Sequence, residues 1–232
     1  MSEKAVPGTA SSVYVYEAPE RLWHWVNAAA ILVLAVSGYF IASPPFAGTG
    51  EASDHYLMGT IRFTHFAAGY VLAVGFLGRL YWALVGNHHA RQLFHLPIRD
   101  HQWRQDFRHE LRWYAFLEDQ PRKFEGHNPL AQTAMLVMFV LGTVFMILTG
   151  FALYSEGTGK GSWQDALFGW VIPLLGGSQP THTFHHLGMW VLIVFVIAHI
   201  YVAIREELMS SQSMVSTMIS GWRTFRDGRP PK

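Results

Sequence analysis

The sequence predicts an all-α fold, a four-helix transmembrane bundle, on three observations. Half of the 232 residues are hydrophobic and only 14% are charged, against roughly 25% charged in a typical soluble domain. Four apolar stretches each reach the roughly 20 residues that cross a bilayer. The ionisable residues fall mostly between those stretches. The expected organisation is a single integral-membrane domain over residues 1–232, a common size for one domain.

The four spans cover about residues 23–42, 58–85, 130–154 and 184–204. Each is bounded by tryptophan, tyrosine or charge, as expected at headgroup level. A further apolar stretch, Ala166 to Leu175, is too short to cross and contains Pro173, so it is expected at the surface. The segment Met1 to Glu20 lacks the apolar core of a cleavable signal peptide, so the first helix is expected to stay as an anchor.

Orientation follows from the basic residues. Lys4 and Arg21 precede the first span, and the connection Ser43 to His55 has no lysine or arginine. The long second connection carries six arginines and Lys123, the third only Lys160, and the tail Arg205, Arg223, Arg226, Arg229 and Lys232. Both termini and the second connection are therefore expected in the cytoplasm, with the chain a multi-pass membrane protein. Within that connection, Trp103, Phe107, Leu111 and Tyr114 recur every three or four positions among arginines between Asp100 and Leu117. This predicts an amphipathic helix on the inner membrane surface; an ordinary solvated helix is the alternative.

The net charge of +1 gives no reason to expect a nucleic-acid partner. The absence of cysteine excludes disulfides, thiolate-bound iron–sulfur clusters, thiolate zinc sites and covalent c-type haem attachment. A redox centre in this chain must use other ligands.

Histidines are the candidates. Ionisable groups within membrane spans are costly and usually functional, yet His24, His65, His185 and His199 lie within or at the ends of three spans. Alternating helix directions put His24 and His199 toward the cytoplasmic face and His65 and His185 toward the outer face. His185 and His199 are fourteen residues apart. On one helix that is roughly 21 Å along the axis and about 40° around it, so both face the same interior. His186 should face elsewhere. A cofactor with one axial site toward each of two helices explains this pattern, and haem iron bound by neutral imidazoles is such a cofactor. Two b-type haems are expected, with His65 and His185 on the iron of one and His24 and His199 on the other. Gly38, Gly69, Gly142, Gly150 and Gly188 leave room for macrocycles or permit close helix packing. Arg62, Arg79 and Arg205 either neutralise haem propionates or snorkel to the interface. His55, His88, His89, His95, His101, His109 and His127 sit in connections, where contact with water or headgroups is the simpler reading. A zinc site is disfavoured because no compact pair of ligands has a third at similar depth. Asn128, beside Pro129 at the start of the third span, either hydrogen-bonds a quinone carbonyl or caps the helix.

Several runs resemble a known family: Glu17-Ala18-Pro19-Glu20-Arg21-Leu22-Trp23-His24-Trp25, Gly126-His127-Asn128-Pro129-Leu130-Ala131-Gln132, Thr149-Gly150-Phe151-Ala152-Leu153-Tyr154 and His185-His186-Leu187-Gly188-Met189-Trp190. His199-Ile200-Tyr201, Arg205-Glu206-Glu207 and Ser216-Thr217-Met218-Ile219 continue the likeness. Together they resemble the b-type cytochrome subunit of membrane-bound nickel–iron uptake hydrogenases, from Tyr14 to about Arg223. The resemblance implies a four-helix membrane anchor for the hydrogenase small and large subunits. It implies electron transfer from the small subunit's iron–sulfur clusters through two b haems to a quinone, ubiquinone or menaquinone. It implies the same four haem ligands, and it tips Asn128, with Gln132, toward the quinone. The chain has no hydrogen-activating site and is not expected to be catalytic alone. A cytochrome subunit of formate dehydrogenase, or a non-haem transporter or anchor, remains the alternative.

Overall fold

The structure is a computed structural model and describes residues 11–44 and 56–226. Lys4, Arg229, Lys232, His55 and most of the first connection lie outside the described residues.

The fold is mostly helical. Four helices are long and apolar enough to cross a membrane: Ala18–Ala42, Leu57–Val85, Pro129–Thr158 and Ser178–Met209. At 1.5 Å per residue the shortest, of 25 residues, exceeds a hydrocarbon core of roughly 30 Å. Each is helical beyond its apolar run. The first begins five residues before Trp23 because Glu20 closes its N-terminus: Glu20 Oε2 accepts the Glu17 N–H at 3.3 Å, and Glu17 O accepts the Glu20 N–H at 3.1 Å. The first bond is the side-chain return bond of a capping box and the second an ordinary turn bond, with Pro19 in the first turn where a missing N–H costs nothing. The fourth extends through Arg205 and Glu206, whose charges are satisfied by protein rather than by water. Large apolar side chains such as Leu32, Val74, Leu77 and Ile197 stand exposed along the helices, as a lipid-facing surface requires. The stretch after the third helix forms two short helices, Trp163–Phe168 and Val171–Leu174, neither long enough to span.

The chain divides into two compact units. The first takes residues up to His24, Arg79–Val140 and the chain from Phe195 onward. Here a two-stranded antiparallel sheet ties the two ends of the chain together, β1 (Ser11–Tyr14) pairing with β2 (Trp222–Phe225). The sequence pattern does not announce this pairing. It joins the segment before the first helix to the segment after the fourth. Phe225, the last residue of β2, and Val15, just after β1, are fully buried. The predicted amphipathic helix forms over His101–Tyr114, capped by Asp100, whose carboxylate accepts the Gln102 N–H at 2.9 Å. Its buried face carries Asp106, Glu110 and Trp113, while Leu111, Phe116 and Leu117 are exposed. The third helix contains one π-helical segment, Met135–Val140. A wide turn of this kind often marks a functional position; here it carries Phe139 against Trp23 and Phe195.

The second unit comprises Trp25–Gly78 and Leu141–Val194. Its core is aromatic: Tyr70 packs against Phe151, Tyr154 and Trp163, and its hydroxyl accepts a hydrogen bond from Gln164 Nε2 at 3.2 Å.

Candidate functional site

Each unit brings together one of the histidine pairs expected from the sequence. In the first unit the rings of His24 and His199 have centroids 6.3 Å apart. In the second, His65 and His185 are 6.5 Å apart. Two imidazoles on opposite sides of one metal ion, each bonded at roughly 2 Å, have centres about 6 Å apart. Direct stacking would bring the rings closer. His186 points away from the pair, toward Trp190, and His182 bonds the Ser178 carbonyl.

The second unit also fixes the imidazole tautomers. Ser37 Oγ donates to the Val33 carbonyl at 2.6 Å and lies 2.9 Å from His65 Nδ1. Thr149 Oγ1 donates to the Phe145 carbonyl at 2.8 Å and lies 2.7 Å from His185 Nδ1. Each hydroxyl spends its proton on its own helix, so its oxygen accepts the Nδ1–H of the histidine. That leaves Nε2 with a free lone pair, the form a metal takes. The next residue in each case is glycine. A Cβ on Gly38 would meet His65 Cε1 at 3.2 Å, and one on Gly150 would meet His185 Cε1 at 3.2 Å. These two glycines admit the rings. Gly188 serves helix packing, since a Cβ there would strike Met146 Sδ at 2.6 Å. Gly142 faces Leu192, and Gly69 has open space before it.

Removing either hydroxyl should weaken its imidazole as a donor. Ser37→Ala and Thr149→Val are expected to raise the midpoint potential of a haem held by this pair. An outer-shell loss of about tenfold in ferric over ferrous affinity corresponds to about 59 mV for one electron. A redox titration of each purified variant checks this, and unchanged potentials would contradict the tautomer assignment.

Fit to an anionic macrocycle is tested by the polar atoms of the first unit. Arg79 is 4% exposed. Its Nη2 donates to Glu20 Oε1 at 3.2 Å and to the Ala90 carbonyl at 2.7 Å, and its guanidinium lies over Trp23 and Phe94. Arg79 Nη1 and Trp23 Nε1 are buried donors with no acceptor among the described residues. Buried donors are normally paired, and carboxylates such as haem propionates would satisfy both. Arg205 is instead turned inward, donating to Glu206 Oε1 at 3.1 Å and stacked on Trp113, Tyr114 and Phe116. Arg62 is exposed.

The two residues expected at a quinone are close in sequence but differently engaged. Asn128 caps the third helix, its Oδ1 accepting the Ala131 N–H at 2.7 Å, with Pro129 in the first turn. The cap uses the carbonyl and leaves the Nδ2 donors. Gln132 is buried, its Oε1 accepting Trp103 Nε1–H at 2.9 Å and its Nε2 donating to the Gln92 carbonyl at 3.4 Å. His127 meets the Tyr16 hydroxyl at 3.2 Å, and burial, reinforced by Arg223, pushes its imidazole down to about 3. It is neutral at pH 7 and a poor resting proton donor.

Sequence reasoning missed an acidic cluster beside Asn128. Glu110 is 2% exposed and lies among Glu206, Asp106, Arg122 and Arg205, with His109 Nδ1 at 3.6 Å. Burial first, and then Glu206, pushes its carboxyl up to about 8. Tyr114, raised well above the usual phenol range by burial and by Glu206, lies between Glu206 and Asn128. Because Glu110 holds its proton in the folded state and loses it near pH 4.5 when unfolded, the folded state binds more protons between those values. Stability therefore falls as pH rises from about 4.5 to about 8. Glu110→Gln should flatten that part of the curve, as thermal unfolding of the solubilised chain at stepped pH will show.

The profile of the family described as prokaryotic cytochrome b561 matches residues 15–221. The chain belongs to that family. A protein of Azotobacter chroococcum described as a probable Ni/Fe-hydrogenase B-type cytochrome subunit is 64% identical over 220 residues, covering 95% of this chain and 92% of the relative. A relative with the same description in Cupriavidus necator is 62% identical over 216 residues, covering 93% of this chain and 88% of the relative. The probable Ni/Fe-hydrogenase 1 B-type cytochrome subunit of Escherichia coli K12 is 45% identical, covering 94% and 93%. As a cytochrome b561 family member the chain is a membrane electron-transfer protein of the haem b type.

Proposed function

We propose that this cytochrome is the membrane subunit of a nickel–iron hydrogenase, anchoring the small and large subunits and passing electrons from the small subunit's iron–sulfur clusters to the quinone pool. The observation that carries the reading is the pair of cross-helix imidazole couples, at 6.3 and 6.5 Å, each spaced for one metal ion. Haem b, when bound, supplies a one-electron iron couple. His65 and His185 hold one haem and His24 and His199 the other, so the chain works as a single di-haem domain over its whole length.

Ser37 and Thr149 keep His65 and His185 in the ligand tautomer, and Gly38 and Gly150 make room for the rings. Arg79 and Trp23 offer donors to the carboxylates of the His24–His199 haem. Read with cytoplasmic termini in the bacterial inner membrane, His24 falls at the cytoplasmic end of its helix and His65 in the outward half of its own. Asn128, also at a cytoplasmic end, donates through Nδ2 to a quinone carbonyl. Gln132, bonded to Trp103 and the Gln92 carbonyl, keeps a second Nε2 donor with which it supports Asn128 at the quinone. Glu110, protonated near neutral pH, is the nearby acid suited to supplying a proton on quinone reduction. The helix His101–Tyr114 lies at the inner membrane surface, where its exposed Leu111 and the following Phe116 and Leu117 meet lipid.

The naming of the relatives favours a hydrogenase over a formate dehydrogenase as the partner. Affinity purification of the chain from its native membrane tests this. Nickel–iron hydrogenase subunits should co-purify, and hydrogen should reduce added quinone. Recovery of a different dehydrogenase instead would overturn the assignment.

A further inference from the structure

We propose that His88, His89 and Glu125 form a site for a zinc-class divalent transition-metal ion. The sequence shows two adjacent histidines, and the fold brings a third donor to them from 36 residues away. One ligand atom from each of the three residues lies within 4.8 Å of the others. The rings of His88 and His89 are 3.7 Å apart. His89 is 3% exposed, and its Nδ1 is buried without a hydrogen-bond partner among the described residues, although the ring also interacts with the Gln92 side chain and lies near the Arg223 guanidinium. A buried imidazole nitrogen left unpaired is costly unless something else satisfies it.

The backbone on both sides is held in place. Asn87 caps the short helix His88–Arg91, accepting the Ala90 N–H at 3.0 Å, and donates from Nδ2 to the Val15 carbonyl at 3.0 Å. Arg79 grips the Ala90 carbonyl from below at 2.7 Å. On the other strand of chain, Arg223 Nη1 donates to the carbonyls of Phe124 and Gly126 at 3.0 and 2.6 Å, one on each side of Glu125. The His127 N–H donates to Gln92 Oε1 at 3.1 Å. A fixed backbone leaves only side-chain rotations to be ordered on binding.

The donor set decides the ion. Two imidazoles and one carboxylate with a fourth position for water suit zinc, cobalt, nickel or copper, whereas magnesium and calcium require oxygen ligands. Tetrahedral bonds of about 2 Å place ligand atoms roughly 3.4 Å apart. Binding therefore requires the exposed His88 and the half-buried Glu125 to turn toward His89. The exposed His88 also gives the ion its access route. The site is independent of the haem reading, since it shares no ligand with either histidine pair.

Zinc binding should be measured on the intact, haem-loaded chain without a polyhistidine tag, using zinc sulfate alone as the probe. Calorimetry is expected to show one site per chain that His88→Ala and Glu125→Gln each weaken by about tenfold or more. X-ray absorption at the zinc edge should show two imidazoles among nitrogen and oxygen ligands. Magnesium should not compete. His88 and Glu125 are not buried, so these variants keep the fold, which haem content and thermal unfolding will confirm. Zinc binding of equal affinity and stoichiometry in both variants, or no zinc binding by the unaltered chain, would overturn the proposal.

Discussion

Replacing His185 by alanine is expected to remove one of two haems from the chain and to abolish hydrogen-driven quinone reduction. The remaining haem should keep its spectrum. The argument rests on separateness: His185 pairs with His65 and is held by Thr149, all within the second unit, while His24 and His199 pair within the first. No side chain is shared between the two pairs, so loss of one ligand should not propagate to the other site. The substitution also leaves Thr149 Oγ1 bonded to the Phe145 carbonyl, which spares the helix a buried unsatisfied hydroxyl. The effect on electron transfer should exceed a hundredfold, since removing a redox centre interrupts the route instead of retuning it. Haem quantification and an optical difference spectrum of the variant provide the check; two intact haems would refute the ligand assignment.

Arg79→Met should be the most destabilising single change in the first unit. The guanidinium is the partner of Glu20, and both side chains are about 95% buried, at 4% and 5% exposure. Taking away one member of a buried ion pair leaves the other charge desolvated and costs about 3–5 kcal/mol. It also frees the Ala90 carbonyl and removes the cation over Trp23. Glu20 stands one turn before His24, so the damage should reach the His24–His199 pair first. Thermal unfolding measures the loss, and the double variant Glu20→Gln/Arg79→Met should recover part of it by removing the stranded charge. Equal stability of the single variant and the unaltered chain would show that the pair holds nothing together.

Much of this architecture is legible in the sequence because the bilayer imposes it. An apolar run of twenty residues has few alternatives to a spanning helix, and all four spans appear where hydropathy puts them. Their ends do not, because Glu20 at one end and Arg205 and Glu206 at another continue the helix on protein partners that hydropathy cannot see. The histidine pairs were legible from direction and spacing alone, and the structure brings each pair together. Their supports stand in the sequence as Ser37-Gly38 and Thr149-Gly150, but only the glycines carry a signal there. A hydroxyl at a helix interior normally bonds its own backbone, and nothing local says that its oxygen also accepts from an imidazole on another helix. The β1–β2 pairing joins residues more than two hundred positions apart, beyond any local pattern. Glu125 reaches His88 and His89 for the same reason. Gln132 shows the converse: a motif places it at the quinone, and the fold adds bonds to Trp103 and the Gln92 carbonyl that the motif does not show.

The central claim, two haems each clamped between imidazoles of different helices, is tested most directly by haem content per polypeptide combined with a potentiometric titration of the purified chain. Two b-type haems per chain are predicted, titrating as two one-electron steps, with one step lost in His65→Ala and the other in His24→Ala. A colourless chain that retains its fold, or a single haem that survives both substitutions, would contradict the account.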